Sequence, residues 1–201
     1  MSLYIAMAIF SLAMSISPGP VNFITLSTGL NQGFKAAMPF VLGATIGFTA
    51  LLGVTGVGLE RLIGTIPSAL IVIGYAGALF IAYMGIKLAT APVKTVESSA
   101  SPATFLNGAF LQWLNPKAWA ACVAGIASFK LSRNPELLLQ FLGIYCVICY
   151  ASISLWAIAG SQLKRLVKHP IHLRNLNRLM GTGLIMLAFY LTVTQANIHM
   201  G

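Results

Sequence analysis

The sequence predicts an all-α integral membrane protein. Six transmembrane helices form two inverted three-helix repeats, with helices one and four broken at proline. Three observations predict this. The chain is 58% hydrophobic and only 7% charged, where a soluble domain carries about a quarter charged residues. Its apolar residues fall into six runs, each long enough to cross a bilayer core of about 30 Å. Two of the runs are interrupted, at Ser17-Pro18-Gly19-Pro20-Val21-Asn22 and at Asn115-Pro116-Lys117. Pro18 and Pro116 stand 98 residues apart in a chain of 201, one near the start of each half. Each broken run is followed by two more apolar runs, and an odd number of spans per repeat turns the second copy over in the membrane.

The first span covers Leu3–Leu30 and is uncharged throughout. Each of its prolines lacks an N–H, and its ring clashes with the carbonyl four residues back. In hydrocarbon such a break survives only where protein or a water-lined cavity surrounds it. Asn31 to Lys35 forms a short loop before the second span, Ala36–Leu59. This span carries Gly43, Gly47, Gly53, Gly56 and Gly58. Small residues at such spacing let helix backbones approach closely. Packing inside the bundle is the favoured use of these glycines, over a homodimer seam. Glu60 to Ile66 leads to the third span, Pro67–Leu88, with Pro67 suited to open a helix. Ala91 to Ala103 holds two prolines, three serines and Glu97, and is the linker between the halves.

The fourth span, Thr104–Phe129, is broken at Pro116. Lys130 to Glu136 joins it to the fifth, Leu137–Gly160. Ser161 to Arg178 is the most basic segment, and Leu179–Asn197 is the sixth span. The whole chain, 1–201, reads as one transmembrane domain: repeat one over about 1–90, a linker over about 91–103 and repeat two over about 104–201. Loops one, three and five hold eight Lys and Arg, and the other side holds three. The excess marks the cytoplasmic face, which places both termini outside the cytoplasm. The first run lacks the basic leader and small-residue cleavage site of a signal peptide, so the first span is expected to be retained.

The net charge of +9 does not point to nucleic acid. The basic residues sit in loops beside apolar spans, where they set topology, and they do not alternate with aromatics on a soluble face. Cys122, Cys146 and Cys149 all lie within spans and form no disulfide framework. The spacing of Cys146 and Cys149 suits redox work only weakly. There is no nucleophile–base pair, P-loop, zinc-helix or EF-hand pattern. No enzyme, cofactor or metal site is expected.

Lys117 is the leading candidate for function. A lysine within a span is costly and normally faces a cavity or a partner. Directly after a helix break, it suits a substrate carboxylate, aided by helix N-terminal amides. The competing uses are capping freed carbonyls, or snorkelling to an interface. Asn22 and Asn115 flank the breaks, and an amide suits either an amino acid or freed backbone groups. The candidate substrate-binding set is therefore Pro18, Gly19, Pro20, Asn22, Asn115, Pro116 and Lys117. Ser15, Ser17, Thr25 and Gln112 add polarity near the same depth. Glu60, Glu97 and Glu136 all lie at span ends or in loops, and no acid stands in mid-membrane to relay a proton.

Several of these motifs resemble one known family. Ser17-Pro18-Gly19-Pro20-Val21-Asn22, Gly33-Phe34-Lys35, Gly43-Ala44-Thr45-Ile46-Gly47-Phe48, Tyr83-Met84-Gly85-Ile86-Lys87 and Leu114-Asn115-Pro116-Lys117 are similar to the LysE/RhtB family of amino-acid exporters. The resemblance covers nearly the whole chain and is greatest to the branch of cysteine and O-acetylserine exporters. It implies a secondary transporter of the bacterial inner membrane that moves a small neutral amino acid or derivative out of the cytoplasm, in exchange for protons. Many members carry an Asp directly after the glycine that Gly47 matches, and here the residue is Phe48. That departure weighs against a cationic substrate and against a proton route through that Asp. A transmembrane thiol–disulfide carrier and a non-transporting membrane protein are the readings from other classes.

Overall fold

The computed structural model describes residues 2–65, 104–131, 134–166 and 170–200, together with 75, 78, 79, 81–83 and 85–90. The linker at about 91–103 and most of the third predicted span lie outside the described residues. The described residues form helices α1 (Leu3–Ile16), α2 (Pro20–Gln32), α3 (Phe34–Thr65), α4 (Phe105–Trp113), α5 (Pro116–Ser128), α6 (Pro135–Leu166) and α7 (Pro170–Met200). Positions 81–83 and 85–89 are helical as well.

Among the described residues, Phe34–Gly58 and Pro135–Leu163 are each long and apolar enough to cross a membrane. Leu3–Ile16 and Pro20–Gln32 qualify together, as one path bent by 61°. Several helices run past the predicted spans. The loop expected at Asn31 to Lys35 shrinks to Gly33, whose φ of 93° favours glycine. The segment Glu60 to Thr65 continues α3 as helix. The basic segment expected as a loop at Ser161 to Arg178 is also largely helical, shared between α6 and α7. Hydropathy marks where lipid ends, and a helix continues into water until a breaker such as Pro170 begins the next one.

α6 is the centre of the packing and contacts α1, α2 and α3. Its buried face runs Leu138, Phe141, Tyr145, Cys149, Ile153 and Ala157 at helical spacing. α1 buries only the stripe Met7, Ser11 and Ser15, while Leu3, Tyr4, Ile5, Ile9 and Leu12 stay exposed, as suits a lipid-facing surface. Gly43, Gly47 and Gly56 of α3 pack closely within the chain, while Gly58 faces open space. A Cβ on Gly47 would lie 2.7 Å from the Ala109 Cα of α4, so the two backbones touch there. Gly29 of α2 meets the Ala157 backbone of α6 in the same way.

Candidate functional site

The site is built where α1 stops and α2 starts. The last carbonyls of a helix have no partner within it, and here side chains from three elements take them. Ser17 Oγ donates to the Met14 carbonyl at 3.2 Å. Asn22 Nδ2, on α2, faces the carbonyls of Ser15 at 2.9 Å, Ser17 at 3.0 Å and Ile16 at 3.4 Å. Trp156 Nε1, on α6, donates to the Ile16 carbonyl at 3.1 Å. Lys117 Nζ, on α5, donates to the Ser17 carbonyl at 2.6 Å and lies 3.4 Å from that of Pro18. A residue of the second half thus reaches across 100 positions to the first break.

The start of α2 is left open. Its N-cap is Gly19, which supplies no side chain, and Pro20 has no N–H to give. The amides of Val21 and Asn22 follow at the positive end of the helix dipole. A Cβ added to Gly19 would lie 3.1 Å from Lys117 Cδ and 3.3 Å from its Nζ, so the lysine occupies the space that a larger residue would fill.

The start of α5 is closed. The Asn115 side chain accepts from the Lys117 amide at 3.1 Å, and the Asn115 carbonyl accepts from the amides of Ala118 and Trp119. Trp119 Nε1 turns back to the Trp113 carbonyl at the end of α4, at 2.7 Å. Asn115 Nδ2 faces Gln112 Oε1 at 3.5 Å, at the outer limit for a hydrogen bond.

A cavity lies between the two breaks. Its wall includes Ser15, Gly19, Val21 and Asn22 from the first, and Gln112, Asn115 and Lys117 from the second. Its volume is about 30 Å³, room for a water or two, so an amino acid requires the walls to part. Of the seven residues expected from sequence, Gly19, Asn22, Asn115 and Lys117 line the cavity. Pro18, Pro20 and Pro116 do not, and stand at the helix ends beside it. Lys117 takes up the carbonyl-capping role, on the other half's break.

Sequence reasoning missed the opposite wall. Phe48 of α3 stacks on Tyr145 of α6, with ring centroids 4.3 Å apart and planes 24° apart, and both line the cavity with Cys149. The rings continue outward from Tyr145 to Phe141, Phe129 and Phe10. The departure at Phe48 was the one available signal, but nothing in the sequence paired it with Tyr145. Among the described residues, no acidic side chain lines the cavity. The cysteines Cys122, Cys146 and Cys149 are free.

Residues 12–195 match the family described as LysE type translocator. The chain belongs to that family. It is therefore a membrane transporter and not an enzyme. Curated relatives named cysteine/O-acetylserine efflux protein include one from Escherichia coli O139:H28, 28% identical over 79% of this chain and 83% of the relative. Those from Escherichia coli K12 and Shigella flexneri are 27% identical over the same shares. No solved structure matches this chain.

Proposed function

We propose that this translocator exports a small neutral amino acid or derivative, such as cysteine or O-acetylserine, across the bacterial inner membrane. The single observation that carries this reading is Lys117 Nζ, set on the Ser17 carbonyl at the edge of a cavity bounded by both helix breaks. The ammonium lies beside the open start of α2. A substrate carboxylate there would take one charge-assisted bond from Lys117 and meet the amides of Val21 and Asn22. The carboxylate would replace the Ser17 carbonyl as the partner of Lys117. Without an acidic residue in the wall, a cationic side chain finds no counter-charge. The names of the curated relatives support the substrate class.

The arrangement of two inverted three-helix repeats belongs to the same proposal, with both termini outside the cytoplasm. The small cavity fits a closed state, and alternating access would part the walls to one side and then the other. Among the described residues, Lys117 is the one Lys, Arg, His, Asp or Glu that lines the cavity. Its proton is therefore linked to carboxylate binding, because a neutral amine loses most of its hold on an anion. A site that must be protonated to hold the carboxylate carries proton and substrate together, so proton exchange would need a group other than Lys117.

Efflux of labelled O-acetylserine from proteoliposomes, with and without an imposed proton gradient, tests the reading. Saturable flux is expected, and acceleration by protons on the receiving side would mark exchange through a group other than Lys117. Absence of flux for O-acetylserine, cysteine and a panel of other neutral amino acids would overturn it.

A further inference from the structure

Most buried hydroxyls among the described residues follow one habit. Ser11, Thr25, Thr28, Thr45 and Thr55 each donate to the carbonyl four residues back, at 2.7–2.9 Å. That bond is the local way for Ser and Thr to be satisfied inside a helix. Ser15 departs from it. The residue is 9% exposed, its Oγ has no hydrogen-bond partner among the described residues, and it lines the cavity. The Tyr145 hydroxyl and the Cys149 thiol stand beside it, short of hydrogen-bond geometry. Its main chain, by contrast, is held, because the Ser15 carbonyl accepts from Asn22 Nδ2 at 2.9 Å. Ser15 is thus fixed at its backbone and unpaired at its side chain. Ser152 and Ser154 also have unpaired hydroxyls, but neither lines the cavity, so neither points to a ligand.

An unpaired hydroxyl in an apolar bundle is unfavourable unless something visits it. The space it borders is the one that holds Lys117. The Ser17 carbonyl bonded to Lys117 Nζ is only two residues further along the chain. We propose that Ser15 reads the substrate's side chain. Its Oγ–H donates a hydrogen bond to an oxygen or sulfur carried one or two atoms beyond the substrate's Cβ or on it, while Lys117 holds the carboxylate. The proposal rests on the exporter reading above and names the residue that sets its substrate preference. The Phe48–Tyr145 stack forms another wall, aromatic and without an acid. A short, uncharged, heteroatom-bearing side chain fits that combination. A purely apolar one leaves Ser15 unpaired, and a cationic one has no counter-charge.

The test compares labelled O-acetylserine with labelled 2-aminobutyrate, a short amino acid without a side-chain heteroatom, in proteoliposomes of matched protein content. In Ser15→Ala, O-acetylserine efflux is expected to fall by about tenfold relative to 2-aminobutyrate, the effect of one lost hydrogen bond. Ser15→Thr, which keeps the hydroxyl, is expected to recover most of the preference. Equal loss of both fluxes in Ser15→Ala would give Ser15 a merely structural role, overturning the proposal while leaving the exporter reading in place. An unchanged ratio of the two fluxes would also overturn it. Wild-type protein that moves neither compound would overturn the proposal, and the reading beneath it falls as well only if cysteine and the wider panel of neutral amino acids also fail to move.

Discussion

The two helix breaks differ in what they leave unfinished. At the first, the carbonyl side is crowded with donors from α2, α5 and α6, and the amide side is bare, with Gly19 as cap. At the second, Asn115 closes the amide side itself, and what projects into the cavity is the Lys117 ammonium. One break therefore offers backbone amides without a side-chain cap, and the other offers an ammonium that rests on a carbonyl of the first. The difference teaches that a pair of similar sequence interruptions need not build two similar half-sites. Here they line one cavity from two sides, in different ways.

The comparison is broken most directly at Lys117. Replacing it with Ala is expected to lower O-acetylserine efflux by roughly 10- to 100-fold, the range for losing a hydrogen bond to a charged group. Its abundance in the membrane should be unchanged. Efflux at the wild-type rate would remove Lys117 from the site.

The asparagines sharpen the comparison through stability. Asn22→Ala strips a donor shared by three carbonyls at the end of α1 and should cost about 1–3 kcal/mol, because buried acceptors are left unpaired. Asn115→Ala removes an N-cap, worth about 1 kcal/mol. Thermal unfolding in detergent should therefore rank Asn22→Ala below Asn115→Ala. The reverse order would mean that the second break is the more strained.

Gly19→Ala tests the bare cap. The φ of −167° at Gly19 is extended backbone open to any residue, so the effect comes from crowding Lys117, 3.1 Å from the new methyl. A severalfold rise in the substrate concentration for half-maximal efflux is expected, with little change in stability. The smallest effect is expected from Trp156→Phe. It removes one of the donors to the Ile16 carbonyl and should cost about 0.5–1.5 kcal/mol with transport nearly intact.

Hydropathy made the membrane class and the helical content legible, because a bilayer forces apolar runs into helices. The polar residues beside the cavity were visible for a related reason. Lys117, Asn22 and Asn115 are expensive in lipid, so their presence within apolar runs drew attention. What each one touches was not legible. The bond from Lys117 to the Ser17 carbonyl joins residues 100 positions apart, and a single sequence carries no pairing information over such a distance. Phe48 and Tyr145 were hidden because aromatic rings are ordinary span filling until another element brings them face to face. Ser15 was noted only as added polarity, since an unpaired hydroxyl and a back-bonded one look identical in sequence. The long helical ends of α3, α6 and α7 escaped because lipid-scale hydropathy falls silent where a helix leaves the membrane.

The central claim is that Lys117, supported by the open start of α2, recognises a carboxylate. The measurement that tests it most directly is competition for labelled O-acetylserine efflux, in wild-type proteoliposomes, by unlabelled O-acetylserine and by its carboxamide. The two competitors share a side chain and differ at the carboxyl group. Strong competition by the acid and roughly tenfold or more weaker competition by the amide are expected. Equal competition by both would contradict carboxylate recognition and return Lys117 to a purely structural cap on the first break.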